Sequence, residues 1–144
     1  MTQVKGTALQ SSLRYVRERF GAAALEAVVR ALSDERQTLL SGTLLASSWY
    51  PLADLLAFTK EAERQLGAQE PQLSFQMGKA SCDHGVTGVY KVFFKVGSPE
   101  FVVSRASRVF SSYYDSGELR LIESRDGFAA VEIVGVEPAD PLLC

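Results

Sequence analysis

The sequence predicts an α+β fold in which a mainly helical N-terminal two thirds packs on a small antiparallel β-hairpin or sheet near the C-terminus. Two observations indicate this fold. Apolar residues recur at spacings of three and four along most of the chain, and after Gly117 the spacing changes to two around Asp126-Gly127. The 144 residues are 47% hydrophobic and 22% charged, which is ordinary for one globular domain, and they contain neither repeats nor a long linker. We therefore expect a single domain over residues 1–144.

The first three predicted helices are short and follow one another closely. In "TALQSSLRYVRERFG", Leu9, Leu13 and Val16 fall on one face, and Gly21 is a suitable C-cap. The next segment, "AAALEAVVRAL", is rich in strong helix formers. "SDERQTLLSG" begins with a serine cap and ends at Gly42.

Three further helices are predicted in the middle of the chain. In "SSWYPLADLLAFTKEAERQLG", Ser47 or Ser48 is expected to cap a helix whose first turn contains Pro51. "EPQLSFQMGKASCDHG" places Met77 and His84 on one apolar stripe of a helix. "VTGVYKVFFKVG" also fits a helix, although its β-branched and aromatic residues are typical of strands as well.

The last third contains one more helix and the hairpin. "SPEFVVSRASRVFSSYYDSG" opens with Ser98 and Pro99, the order expected at a helix start, and ends at Gly117. "ELRLIESRDGFAAVEIVGV" predicts two strands joined at a tight turn. A strict two-residue turn would pair Leu121 with Glu132 and mix the two faces, so we expect a bulge or a longer loop. An isolated hairpin is barely stable, so it should pack on the helices or join a strand of a second copy.

The final segment, "DPLLC", contains Asp140 followed by Pro141, which is the order of a helix start. The chain stops three residues after this pair. We therefore expect the domain to be truncated before a C-terminal helix.

The charge balance limits the classes of partner. Fifteen basic and seventeen acidic residues give a net charge of −2 and a pI near 5.4, so we expect no binding to nucleic acid. No apolar run approaches the length of a membrane span, and the N-terminus lacks the apolar segment of a signal peptide. We therefore expect a cytoplasmic protein without a membrane span.

Cys82 and His84 are the first candidates for chemistry, because the chain has one histidine and two cysteines. On a helix, residues two apart point about 200° from one another, so the two side chains would face apart. On an extended segment they would share a side, but two ligands without a second pair are far short of a structural zinc site. We expect no metal site and no catalysis, with Cys82 a small, partly buried thiol. His84 can either pack at a helix end or bind a ligand such as a haem iron.

Two other groups are candidates for binding. Arg105 and Arg108 lie three apart on one side of a predicted helix and can bind an anion or simply face solvent. Large aromatic rings crowd the segment before the hairpin; they fit a core, a dimer interface or an apolar ligand cavity. With the histidine, the ligand or interface candidates are Trp49, Tyr50, His84, Tyr90, Phe93, Phe94, Phe101 and Tyr113.

Three stretches carry a resemblance to a known family. "VKGTALQSSLRYVRERFG", "SSWYPLADLLAFTKEAERQLG" and "VYKVFFKVGSPEFVVSRASRVFSSYYDSGELRLIE" resemble an uncharacterised domain family known chiefly from myxobacteria. The order of elements is similar to that of the vinyl-reductase small-molecule-binding domains, the haem nitric-oxide sensors and the TRAPP vesicle-tethering subunits. This resemblance implies a helical layer on a small antiparallel sheet, dimers formed through helices, and in some members a bound lipid or porphyrin-like molecule. The tyrosine-x-serine-x-arginine signature of the haem sensors is absent, because "YYDSG" and "VSRASR" have a different spacing.

From these observations we expect a non-enzymatic regulatory or assembly module that acts as a homodimer or with another protein. The alternative is a small-molecule sensor or carrier that binds a hydrophobic or porphyrin-like ligand in an apolar pocket. We expect no cofactor beyond such a ligand.

Overall fold

The predicted α+β class is confirmed by a computed structural model, which describes residues 1–85 and 99–143. The helices of these residues are α1 (Gly6–Phe20), α2 (Ala22–Arg30), α3 (Asp34–Ser41), α4 (Leu52–Leu66), α5 (Leu73–Gly85) and α6 (Pro99–Tyr113), and a 3₁₀ turn covers Pro141–Leu143. The strands are β1 (Gln3–Lys5), β2 (Trp49–Pro51), β3 (Glu118–Arg125) and β4 (Phe128–Val134). The helix predicted over residues 86–97 and the cap predicted at Ser98 lie outside the described residues.

Most predicted helix ends are confirmed. Gly21 follows α1 with φ +93°, a left-handed conformation that favours glycine, and its backbone N–H donates to the carbonyl of Arg17 at 2.9 Å. The last helix begins at Pro99, as its fixed φ predicts. Ser33 precedes α3 in an extended conformation, but its side chain makes no capping hydrogen bond.

The cap predicted for α4 is wrong. Ser47 and Ser48 lie in a turn, and the chain runs through β2 before α4 begins at Leu52. A residue that precedes proline is driven towards extended backbone, so Tyr50 before Pro51 favours a strand over a helical turn. Strand β2 pairs antiparallel with β1.

The hairpin and its predicted bulge are both confirmed. Strands β3 and β4 pair antiparallel, with Arg125 opposite Phe128 across the two-residue turn. The register shifts between Leu121 and Glu123, so Leu121 lies opposite Val131. Without this bulge, Leu121 would face Glu132 and the two faces of the hairpin would mix.

Two clusters of buried apolar side chains hold the fold together. The larger cluster lies within α1–α5 and their loops, and it contains Leu9, Val16, Leu25, Val28, Val29, Leu40, Leu44, Phe58, Ala62, Leu66, Leu73 and Met77. The smaller cluster joins β1, α4 and the chain after β4 through Val4, Leu52, Leu56 and Val136. The helical layer therefore has its own core, and a second core attaches the hairpin to it.

Thr2 connects the N-terminus to the base of the hairpin. Its side chain is buried, and its Oγ1 accepts hydrogen bonds from the backbone N–H of Glu137 at 2.8 Å and from the Ser116 hydroxyl at 2.9 Å. Its backbone N–H donates to the Glu137 carbonyl at 3.0 Å, and its carbonyl accepts from the Leu52 N–H at 3.0 Å. One residue thus joins three parts of the chain.

At the C-terminal end, Asp140 accepts a hydrogen bond from the Leu142 N–H at 3.1 Å and forms an ion pair with Lys60. The helix start predicted at Pro141 corresponds to the 3₁₀ turn. Among the described residues, no helix combines the length and the apolar character needed to cross a membrane.

Candidate functional site

A cavity of about 400 Å³ lies between the helical layer and the hairpin. Its walls come from α1, α4, α5 and α6, with contributions from β1, β3 and the 3₁₀ turn. Most of its lining is apolar: Val4, Ala8, Leu55, Leu56, Met77, Gly78, Ala106, Val109, Phe110, Leu119 and Leu142. The polar lining residues are Ser12, Thr59, Ser74, Ser81, Cys82, Tyr113 and Tyr114.

Helical spacing explains which side chains reach the cavity. Ala8 and Ser12 are four apart on α1, and Ala106, Val109 and Phe110 are three and four apart on α6, so each set shares one face of its helix. Several of these residues are small and leave space where larger side chains would meet. The cavity is therefore built into the helix faces rather than into a surface loop.

The Thr59 and Ser74 hydroxyls on the cavity wall already have partners within the protein. The Thr59 hydroxyl donates to the Leu55 carbonyl at 2.9 Å, and the Ser74 hydroxyl donates to Glu63 Oε1 at 2.9 Å. These groups need no ligand to satisfy them. Neither hydroxyl adds a charge to the cavity wall.

The tyrosines at the end of α6 differ in this respect. Within the described part of the chain, neither the Tyr113 nor the Tyr114 hydroxyl has a hydrogen-bond partner. The Tyr114 ring stacks on Phe110 with ring centres 4.4 Å apart and planes inclined by 19°. Both hydroxyls are consequently available to donate to a molecule in the cavity.

The electrostatic surroundings keep these tyrosines neutral. Burial raises the pKa of Tyr113 and of Tyr114 above the ordinary value of 10.0, and the charge that Cys82 carries as a thiolate raises it further. None of the described lining residues is an Asp, Glu, Lys, Arg or His. The wall therefore offers neutral donors and apolar contacts to a ligand.

Cys82 is an exposed residue on the cavity wall, so the expectation of a partly buried cysteine is wrong. The apolar stripe of α5 that predicted this helix turns Leu73 and Met77 into the core, and both are buried. Over residues 1–85 and 99–143, no group of three potential metal-ligating side chains occurs.

Of the predicted ligand candidates whose side chains the structure describes, Tyr113 alone lines the cavity. Phe101 lies near the start of α6, where the Arg105 guanidinium stacks 5.1 Å from its ring centre. Arg105 and Arg108 are both exposed. These arginines lie outside the cavity lining.

Trp49 and Tyr50 lie on β2, outside the cavity lining. The Trp49 ring is partly exposed, with the Lys5 ammonium 3.8 Å from its centre. The Tyr50 ring packs against the larger core, and its hydroxyl accepts a hydrogen bond from the Leu45 N–H at 2.9 Å. Tyr50 therefore has a structural role in anchoring the loop before β2.

The remaining aromatic candidates, Tyr90, Phe93 and Phe94, lie outside the described residues. His84 is in the last turn of α5, which is the helix end expected from the sequence. Sequence reasoning did not select Phe110 and Tyr114 as site residues, although their four-residue spacing on one helix face was the signal that could have identified them.

A second exposed feature lies on the hairpin. Four large apolar side chains there are between 42% and 64% exposed, with Leu121 and Val131 on one face and Phe128 on the other; the fourth is Ile122, at the register shift. The Arg125 guanidinium covers the Phe128 ring at 4.6 Å. Clusters of exposed apolar side chains on a sheet are typical of protein–protein contacts.

Comparisons with known proteins add no relative. No family model matches this chain, and no curated protein or solved structure is significantly similar to it.

Proposed function

We propose that this protein is a non-enzymatic module that binds an uncharged, mostly apolar small molecule, and that it is located in the cytoplasm. The observation that carries this proposal is the cavity between the helices and the hairpin. Its volume of about 400 Å³ falls near the lower end of the roughly 300–1,000 Å³ range of small-molecule sites. That size favours a compact molecule or a single hydrocarbon chain over a porphyrin.

The chemistry of the wall supports the choice of ligand. A charged group transferred into an apolar cavity loses its hydration, and the described lining contains no Asp, Glu, Lys, Arg or His to compensate. A carbonyl or hydroxyl oxygen on the ligand would instead accept hydrogen bonds from Tyr113 and Tyr114. The order of elements predicted from the sequence is similar to that of the vinyl-reductase small-molecule-binding domains, which is in keeping with this proposal.

The test uses Nile red as a fluorescent probe, with 1-dodecanol and dodecanoate as competitors below their aggregation concentrations. We expect dodecanol to displace the probe and dodecanoate, which has the same chain length but a charge, to displace it far less. Native mass spectrometry of freshly purified protein provides a second readout, because a retained ligand adds mass that disappears on denaturation.

A variant that partly fills the cavity tests the site, and the same substitution at an exposed position is its control. Ala106→Phe places a ring on the cavity wall, and Ala23→Phe makes the same change at an exposed position of α2. Displacing two bound methylene groups costs about tenfold in affinity, so Nile red should bind roughly tenfold more weakly to the first variant only. Equal probe binding by both variants would contradict the proposal.

A second candidate function is assembly, and the exposed apolar hairpin favours it. Leu121 and Val131 lie opposite each other on one face of the hairpin and would be removed from water if another molecule packed there. Sedimentation velocity over a wide concentration range tests this function. A mass that stays monomeric at every concentration, with no partner retained during purification, would contradict it.

A further inference from the structure

We propose that strand β3 docks a second copy of this chain by pairing antiparallel with the β3 strand of that copy across a two-fold axis. The inference rests on the assembly function proposed above and deepens it, because it names the partner and the contacting strand. The product would be a continuous four-stranded sheet in the order β4-β3-β3-β4.

The first observation is an available strand edge. Within the described residues, β3 belongs to a two-stranded sheet with β4, so its other edge has no strand partner in that part of the chain. Leu121 and Ile122, at the middle of β3, are 43% and 64% exposed. An edge with exposed apolar side chains is a template for another strand.

The second observation is a set of four charged residues on one face of β3. Glu118 lies opposite Val134, and Arg125 lies opposite Phe128; both partners have even numbers on the regular strand β4 and therefore share a face. Arg120 and Glu123, opposite Glu132 and Ala130, lie on the same face by the same reasoning. In an unbulged strand, Glu118 and Arg125 would point to opposite faces.

The salt bridges on β3 agree with this placement. The Arg120 guanidinium contacts Glu118 at 3.0 Å, and Arg125 contacts Glu123 at 3.3 Å. All four side chains are more than half exposed. Exposed ion pairs of this kind contribute little to stability. The four side chains can therefore leave these pairs and form ion pairs with a second molecule at a small cost in free energy.

The third observation is that this charge pattern is complementary to itself when it is reversed. About a two-fold axis between Leu121 and Ile122, Glu118 lies opposite Arg125 of the second copy, and Arg120 lies opposite Glu123 of the second copy. Opposite charges face each other at every charged pair, with apolar side chains at the axis. Parallel in-register pairing would instead place each charge opposite its own kind. The pattern therefore favours a second copy in the antiparallel orientation.

Charge reversal tests this pairing directly. Arg120→Glu leaves residues 120 and 123 both acidic, and Glu123→Arg leaves both basic, so neither variant should pair with itself. Each reversal changes two symmetric contacts from attraction to repulsion, and we expect the dimer dissociation constant to rise roughly tenfold or more. An equimolar mixture of the two variants should form a heterodimer, because position 120 of each is then opposite in charge to position 123 of the other.

Sedimentation velocity and native mass spectrometry measure these species, and circular dichroism checks that each variant is folded. The double variant, Arg120→Glu with Glu123→Arg, is complementary to itself again and should dimerise like the original chain. The control is Glu26→Arg, an equal change of charge on the exposed face of α2, and it should dimerise normally.

The possible outcomes separate this proposal from the broader one. Monomeric single variants that form a heterodimer when mixed support pairing through β3. Dimers that persist in either single variant, or variants that stay monomeric when mixed, overturn the β3 pairing and leave assembly through another surface. An original chain that is monomeric throughout overturns both.

Discussion

Removing the Thr2 hydroxyl should loosen the attachment of the hairpin to the rest of the domain. Thr2→Val keeps the branched shape of the side chain and the backbone hydrogen bonds of residue 2, but it removes the acceptor used by the Glu137 N–H and the Ser116 hydroxyl. Ser116 is exposed and can turn to water, whereas the Glu137 N–H loses a partner in a partly buried position. Leaving one such donor unpaired costs about 1–3 kcal/mol of unfolding free energy.

Urea denaturation followed by circular dichroism measures this loss, and Ser116→Ala is the matched control. In that control the Thr2 oxygen keeps its bond from Glu137, so we expect a change within about 0.5 kcal/mol. The reasoning would be refuted if Ser116→Ala cost as much as Thr2→Val, or if Thr2→Val left the midpoint and slope of unfolding unchanged.

Three further predictions concern the core, a turn and the cavity. Phe58→Ala removes a ring that is fully buried in the larger core and should lower the free energy of unfolding by about 3–5 kcal/mol in the same urea assay. Gly117→Ala should lower the thermal midpoint more than Gly127→Ala, although both glycines have a positive φ. A Cβ added at residue 117 would lie 2.5 Å from Val136 Cγ2, whereas a Cβ added at residue 127 would have no neighbouring atom within 4 Å. The raised pKa of Tyr114 means that the unfolded chain loses this proton first, so the contribution of Tyr114 to stability should be fully present below pH 10.0 and lost as the pH rises above it. Tyr114→Phe should therefore reduce the fall in stability that unfolding experiments show at alkaline pH.

The helices could be predicted because their signals are local. The spacing of Leu9, Leu13 and Val16 and the position of Gly21 define α1 without reference to the rest of the chain. Strand β2 gave no such signal, because three residues are too few to show alternation and its partner, β1, lies more than forty residues earlier. Ser48 followed by Pro51 fits the residue pattern of a helix start, but the pairing with β1 makes this segment a strand.

An apolar pocket was one expected alternative, but its position and lining could not be predicted for a related reason. It forms where small residues of α1 and α6, such as Ala8 and Ala106, meet across the fold, and sequence spacing gives the face of each helix but not the face it meets. Their aromatic rings made Trp49 and Tyr50 predicted ligand residues, but the structure places both on β2, outside the cavity lining. Tyr113, at the C-terminal end of α6, is a predicted ligand residue that the structure does place on the cavity wall.

The bulge in β3 connects the two proposed roles of the hairpin. Leu119 and Leu121 lie two residues apart before the bulge and therefore share one face of β3, and the half-buried Leu119 lines the cavity. The register shift brings Glu118 and Arg125, on either side of the bulge, to the opposite face. One additional residue thus collects the four alternating charges on the side of the strand that faces away from the ligand site. Because the two sets of side chains point in opposite directions, a mutation can alter one proposed function while leaving the contacts of the other in place, which makes the two proposals independently testable.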